Sequence, residues 1–448
     1  MCKKEPCIDI KNCFDAFITS MLKHCLYIGV VSLCLSGMSR PTQAADAAEV
    51  QSVALPAPTT SPTSSVTASP TTTLPAGSTA PADVSENRKF YTISCSLREI
   101  YDTNIFTATT GRIASFETEV SPSILFDFPM ENSDFSMRET FDATYYSNRP
   151  GSQWDFDDEV VAQFQHQFSD RFSLNMAEQF RYYTEPSLFQ NVGTLYYNGA
   201  YISNTFNGSF NAQWTPLVST VFSYSNTVVD YMQQQTATGN NSVENTGSAT
   251  LGFAILPKIT LTFGGIFDDI SYGQIDRGYT TYTGTVGANW QALPSLSLNV
   301  AVGGSLTQTD LGTSEPTPYA SLALNWQLGA RSSLNFNYSH EIVPSDVVQS
   351  MGQIADRFGT LFHYDITSSI SAHLEGTFTH GIYTPFLLSP NTISGFSEND
   401  FAIDAGLTYH INSHFDVNLG NTYSGVASGL SFRDYNRDQV YLGVRGTY

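Results

Sequence analysis

The stretch Asp438-Gln439-Val440-Tyr441-Leu442-Gly443-Val444-Arg445-Gly446-Thr447-Tyr448 decides the fold. Counted back from Tyr448, alternate positions are Gly446, Val444, Leu442 and Val440, and the interleaved ones are Thr447, Arg445, Gly443 and Tyr441. One face is apolar and ends in an aromatic; the other carries a charge and small or polar groups. A period of two is the period of a strand. Taken alone, the stretch is an ordinary half-buried edge strand. Repetition changes that reading: segments of roughly ten to fifteen residues alternate in the same way about eighteen times between Phe90 and Tyr448. An aromatic-tipped strand at the end of such a series reads as the closing strand of an all-β, antiparallel transmembrane barrel of about 18 strands.

The segments are joined by two unlike kinds of turn. One kind is tight, as in Phe168–Arg171, Trp214–Leu217, Leu256–Lys258, Leu293–Ser295, Gly329–Ser332, Thr367–Ser369 and Asn412–His414. The other is longer, polar and rich in Gly or Asp, as in Thr103–Ser115, Asn148–Asp155, Glu185–Thr194, Gln233–Asn241, Ser345–Gln353 and Thr384–Asn399. Their alternation is the asymmetry of an outer-membrane barrel, with short periplasmic turns and long extracellular loops. A soluble sandwich has no reason to keep it. An even strand number places both barrel ends on the periplasmic side.

The faces agree. Leu296, Leu298, Val300 and Val302 stand against Ser297, Asn299 and Ala301; Phe206, Phe210 and Trp214 stand against Asn207, Ser209, Asn211 and Gln213. The polar face is mostly uncharged, which suits a wet lumen rather than the charged exterior of a soluble protein. Aromatics gather beside the tight turns: Trp214, Trp290, Trp326, Tyr364, Tyr409 and Tyr448 predict a girdle at the periplasmic boundary. Glu139 and Glu178 fall on the predicted lipid face, where a charge at mid-depth costs on the order of a few kcal/mol. Register-shifting bulges are the simplest repair expected there.

Composition fits an exported barrel. The chain has 448 residues, 14% charged and 13% aromatic, with a formal charge of −21. Its mean hydropathy of −0.14 excludes a helical membrane protein. The run Leu26 to Gly37 is too short to span a membrane as a helix. With Lys23 before it and Thr42, Ala44, Ala45 and Ala47 after it, it predicts a signal peptide over residues 1–44, with Met21 an alternative start. Residues 45–87 are rich in Pro, Thr, Ser and Ala and predict a disordered linker; 88–448 form the barrel. Five of the six cysteines precede the cleavage site, so Cys95 alone remains and no disulfide forms within the mature chain.

Two stretches resemble a family of bacterial outer-membrane β-barrel porins, some of whose members accompany exopolysaccharide synthesis. Arg98-Glu99-Ile100-Tyr101-Asp102-Thr103-Asn104-Ile105-Phe106, followed by Val120-Ser121-Pro122, is similar to that family's first hairpin, and Phe432-Arg433-Asp434-Tyr435-Asn436-Arg437-Asp438-Gln439-Val440 to its last. The resemblance implies a barrel and a porin-like role; it implies no catalytic residue and no particular solute. Tyr101 to Phe106 reads as a strand end and turn rather than a binding site.

No enzyme motif emerges, and no cofactor or metal is expected. His373 and Glu375 share a face near Asp365, about 7 Å apart along the strand, an arrangement that suits a lumen hydrogen-bond network. The inward charges are more informative. Arg98, Arg138, Arg181 and Arg445, with Asp127, Asp142, Glu375, Asp404 and Asp416, are the candidates for a constriction where opposed charges screen solutes; Arg445 and Asp416 are expected to pair. Acidic runs such as Asp155 to Glu159 and Asp268-Asp269 are expected toward the outer loops, where carboxylates bind divalent cations shared with lipopolysaccharide or are simply solvated. The acidity excludes a nucleic-acid partner. The expected partners are outer-membrane lipid and lipopolysaccharide, the barrel-assembly machinery at the C-terminal strand, and further copies of the chain. The expected function is passive passage of small hydrophilic solutes or a secreted glycan. The alternative is a non-conducting barrel that anchors the surface or serves an exopolysaccharide-export complex.

Overall fold

The computed structural model describes residues 90–184, 200–232, 241–273, 277–345, 347, 350–385 and 395–448. The expected signal peptide and linker lie outside them, as do Glu185–Thr194 and most of the loop after Thr384. The strands are β1 (Tyr91–Asp102), β2 (Ser115–Pro129), β3 (Ser133–Tyr146), β4 (Trp154–Ser169), β5 (Phe172–Tyr183), β6 (Tyr201–Thr215), β7 (Val218–Tyr231), β8 (Ser242–Leu256), β9 (Ile259–Tyr272), β10 (Tyr279–Leu293), β11 (Leu296–Thr309), β12 (Ser314–Gly329), β13 (Ser332–Pro344), β14 (Ser350–Asp365), β15 (Ile370–Pro385), β16 (Phe396–His410), β17 (Phe415–Ser428) and β18 (Tyr435–Thr447). A single turn of 3-10 helix, Ser431–Arg433, precedes β18.

Each strand pairs with its sequence neighbours, and β1 pairs with β18, so the 18-stranded sheet closes on itself. Closure removes both sheet edges and satisfies every ladder internally, which a hydrocarbon surround demands. Stepping across the ladders from Arg98 once around the barrel returns to β1 displaced by about 22 residues, which with 18 strands gives a tilt of about 42° and a radius of about 17 Å. A barrel of this size leaves an aqueous channel. One tight turn not singled out in the sequence, Met130–Asn132, joins β2 to β3.

The period of two assigns the faces as expected. On β18, Val440, Leu442 and Val444 point outward and are about half exposed. Leu97 on β1, Val302 on β11 and Leu419 on β17 do the same. The aromatics Trp214, Trp290, Trp326, Tyr364, Tyr409 and Tyr448 stand outward at the tight-turn end. A second row of outward aromatics lies nearer the long loops: Tyr101 with Phe116, Phe141 with Phe156, Phe206 with Tyr224, Phe267 with Tyr282, and Tyr338 with Phe358 and Phe378. Aromatic girdles at both interfaces mark a transmembrane barrel.

The register corrects the treatment of Glu139 and Glu178. No bulge moves them inward; the β3–β4 ladder is unshifted and the β4–β5 ladder shifts only beside its tight turn. Glu139 faces outward between Ile124 of β2 and Val160 of β4 and is 2% exposed. Glu178 accepts a hydrogen bond from Asn204 Nδ2 at 2.6 Å. They belong to a belt of outward polar groups: Thr118 donates to Glu99, Asn226 and Tyr224 to Asn245, Thr280 to Asp269, Tyr338 to Asp356, and Asn421 to Asp438. His340 also bonds to Asp356, and His380 to Asn399. From Tyr364 to Asp356 is eight residues up β14, and from Tyr409 to Asn399 ten up β16. At about 3.3 Å per residue and this tilt, the belt stands about 20–25 Å above the lower girdle, the height of an outer-membrane apolar band. Polar groups hydrogen-bonded to each other at that edge are far cheaper than isolated ones at mid-depth.

Candidate functional site

The lumen is where chemistry collects. All nine inward candidates from the sequence lie on the lumen face, but the structure pairs them differently from expectation. Arg445 and Asp416 are cross-strand partners in register, yet Asp416 bonds to His410 Nδ1 at 2.7 Å, while Arg445 donates to Ser94 Oγ at 3.4 Å. His410 occupies the inward position opposite Asp416 on β16 and is nearer than the flexible arginine head. Arg181 binds Glu159 at 2.8 Å and Arg98 lies 3.8 Å from Glu119. Asp127 and Arg138 face the tight-turn half. The runs Asp155–Glu159 and Asp268-Asp269 lie at the long-loop ends of β4 and β9: Asp155, Asp157, Glu159 and Asp268 point inward, Asp158 and Asp269 outward.

A cavity of 610 Å³ opens against the wall made by β15–β18 and β1–β5. On its β15–β16 side stands Asp404. This carboxylate accepts hydrogen bonds from Thr422 Oγ1 at 2.5 Å and Tyr441 Oη at 3.3 Å, and bonds to His373 Nε2 at 2.6 Å. Glu375 is its direct neighbour across the β15–β16 ladder. The expected hydrogen-bond network around His373 is therefore present, with Asp404 rather than Asp365 as partner; Asp365 binds His363 at 3.0 Å. Two glycines make room for it. A Cβ at Gly420 would collide with the Tyr441 hydroxyl, and one at Gly406 with the His373 ring, so only glycine lets both rings lie flat on the wall. Arg98 lies 5.0 Å over the Tyr441 ring. On the other side of the cavity Asp157 accepts from the Thr184 backbone N–H at 2.7 Å and its hydroxyl at 2.8 Å. Among the described residues, no group of three His, Cys, Asp or Glu side chains is placed to hold a metal ion.

The long-loop end of the lumen is a second core that sequence reasoning missed. Tyr146, Tyr201, Tyr231, Tyr272, Tyr279, Tyr383 and Tyr435 point inward there and are all under 9% exposed. Three arginines insert beside them. Arg277 stacks 3.7 Å over Tyr272 and donates to the carbonyls of Ser345, Val347 and Ser350. Arg433 grips Glu398 with two hydrogen bonds, at 2.7 and 2.9 Å, both side chains being 1% exposed. Arg149 stacks on Tyr146 and pairs with Asp155. The signal was available: only 20 Lys and Arg serve the whole chain, and a scarce arginine in a long loop needs a partner.

The two stretches that carry the family resemblance meet at the β1–β18 seam. Asp102, fully buried, pairs with Arg437, accepts from Gln439 Nε2 at 3.0 Å and caps the Asn104 backbone N–H at 2.7 Å. Asn104 in turn donates to the Asn436 carbonyl at 3.0 Å, and Asp438 N–H to Thr103 Oγ1 at 2.9 Å. Tyr101 to Phe106 is thus a strand end and turn, and its polar atoms are spent on closing the barrel.

Residues 316–448, from β12 through β18, match the family described as "Putative beta-barrel porin 2". Among curated proteins none matches the chain. Solved structures with a similar course include OpdK of Pseudomonas aeruginosa with vanillate (10% identity, 80% of this chain and 98% of that one, TM-score 0.41). OccAB3 of Acinetobacter baumannii (10%, 80% and 99%, 0.39) and the ferric enterobactin receptor PfeA of Pseudomonas aeruginosa (10%, 81% and 81%, 0.39) are others. Over residues 316–448 the chain is similar to a family of β-barrel porins, and the described residues as a whole form a closed 18-stranded antiparallel β-barrel with an apolar exterior.

Proposed function

We propose that the barrel is a passive channel for small hydrophilic solutes that favours cations, with its tight turns and both barrel ends on the periplasmic side. The observation that carries this is the charge of the lumen face. Glu117, Glu119, Asp142, Asp157, Glu159, Glu375 and Asp404 crowd one wall, and Glu244, Asp268 and Glu341 line the opposite arc. The arginines among them are largely matched, so the field inside stays negative and concentrates cations. A neutral secreted glycan would gain nothing from that field. The outward polar belt supports an external position for the long loops, because its height suits contact with the saccharide headgroups of lipopolysaccharide.

The test is single-channel recording of the refolded barrel in a planar bilayer under a KCl gradient. The expected result is stable current steps and a reversal potential with the sign set by potassium. A reversal potential of the opposite sign would refute the selectivity. A heat-modifiable, folded barrel that passes no current would refute the channel and leave the anchor or export-partner reading in its place.

A further inference from the structure

The wall is not zipped to the top at every strand. The β12–β13 ladder stops at Ala320 and His340, although β12 runs on to Ser314 and β13 to Pro344. The sequence accounts for the stop. The β11–β12 ladder runs unbroken through Pro316 and Pro318. Proline has no N–H to give, so that ladder uses the odd-numbered donors of β12, and the even-numbered positions face β13. Continued in register, Pro318 would meet Ile342 and Pro316 would meet Pro344, so three of the four donors needed to extend the ladder are absent. The β13–β14 ladder continues to Pro344 and Gly352, and the upper part of that hairpin leaves the wall as a unit. It tucks inside. Ile342, of outward parity on β13, packs against the inward Ile270, Tyr272 and Tyr279 of β9 and β10. A Cβ on Gly352 of β14 would lie 3.5 Å from the Tyr279 ring, yet β10 and β14 are four strands apart, about 22 Å on a circle of the barrel's radius. Arg277 holds the turn through the carbonyls of Ser345, Val347 and Ser350. Thr317 and Tyr319, on the inner face of upper β12, are buried.

We propose that the upper part of the β13–β14 hairpin is the size filter of the channel. Pro316, Pro318 and Pro344 keep it out of the wall, and Arg277 and Tyr279 set where it rests. The inference deepens the channel reading above and rests on it: the acidic lining selects the sign of a solute, and the tucked hairpin limits its width. A second layer of backbone packs about 10 Å inside the first, and the mouth narrows by about that much along this arc. The split begins at the outward belt, to which His340 and Asp356 belong, so the carbonyls left unpaired above it stand clear of the apolar band. The same prolines blunt the freed edge of β12 against pairing with another chain.

The test is bilayer recording with neutral polyethylene glycols of graded size, which gives the conductance and the largest polymer that enters. One variant, Arg277→Gln with Tyr279→Ala, frees the hairpin. A second, Pro316→Val with Pro318→Val and Pro344→Val, restores the donors that let it rejoin β12. Arg331→Gln, at a tight turn, is the control. The expected outcome is a conductance about twofold higher and a larger cutoff in either of the first two, with the control at wild-type values. Wild-type conductance and cutoff in both hairpin variants, each shown to be folded by its heat-modifiability, would overturn the filter and leave the channel standing. So would an equal rise in the control. A wild type without current whose hairpin variants conduct would support the hairpin as the narrowest point and refute the open channel. No current in any folded variant would refute the channel and the filter with it.

Discussion

The seam gives the most quantitative expectation. Asp102 is fully buried and receives Arg437, Gln439 and the Asn104 N–H. Asp102→Ala removes one partner of a buried ion pair, a change that costs about 3–5 kcal/mol because the other charge stays buried. Arg437 keeps Glu117 at 3.8 Å, which places this case near the lower end. The orphaned Asn104 N–H adds about 1 kcal/mol. The expected loss is therefore about 4 kcal/mol. Asp102→Asn preserves the acceptor for Asn104 and loses the charge, and is expected to cost about 2–3 kcal/mol. The assay is reversible urea unfolding in lipid vesicles, followed by tryptophan fluorescence and gel mobility. A double-mutant cycle of Asp102→Asn with Arg437→Gln isolates the pair, with an expected coupling of about 2 kcal/mol. The control is His363–Asp365, nearly half exposed on both sides, where Asp365→Asn is expected to cost under about 1 kcal/mol. A coupling below about 0.5 kcal/mol, or Asp102→Ala costing no more than the exposed control, would refute the reasoning that the seam is locked by this pair.

Two further expectations test the outer wall. Glu139→Leu exchanges a lipid-facing acid for a hydrophobe of similar volume and is expected to stabilise the barrel by about 1–3 kcal/mol in the same urea assay; a loss of stability would show that Glu139 makes contacts the barrel needs. Cys95, a free thiol on the outward face of β1, is expected to react with a lipid-soluble maleimide in vesicles and to resist a charged, water-soluble thiosulfonate. Rapid labelling by the charged reagent in the folded barrel would overturn the assignment of faces on β1.

Much of this fold was legible because its physics is local. A period of two tells which side chains share a face, and a closed barrel makes every strand obey it. The final strand, the girdle aromatics and the nine inward charges all follow from parity. Parity does not give height, and pairing across strands depends on height. Arg445 was expected to meet Asp416 because they lie side by side, but His410, placed by the next ladder, holds that carboxylate instead. That the long-loop arginines need partners was legible, but which partners they take was not, for a different reason. Arg277 finds its acceptors in Ser345, Val347 and Ser350, about seventy residues away, and no periodicity reaches so far.

Glu139 and Glu178 show what register adds. On the sequence they look like violations, a charge on the lipid face that a bulge ought to remove. On the barrel they are two points of a belt that continues through Asn245, Asp269, Asp356, Asn399, Asp438 and Glu99. Each member is bonded or packed against a neighbouring strand, and each lies about eight to ten residues from the lower girdle on one strand of its pair. The same substitutions would be errors in the middle of the wall and are unremarkable at its rim. The belt therefore bounds the apolar band from above as Trp214, Trp290 and Trp326 bound it from below. Asp404 lies five residues below Asn399 on β16 and five above Tyr409, so it stands midway between the belt and the lower girdle.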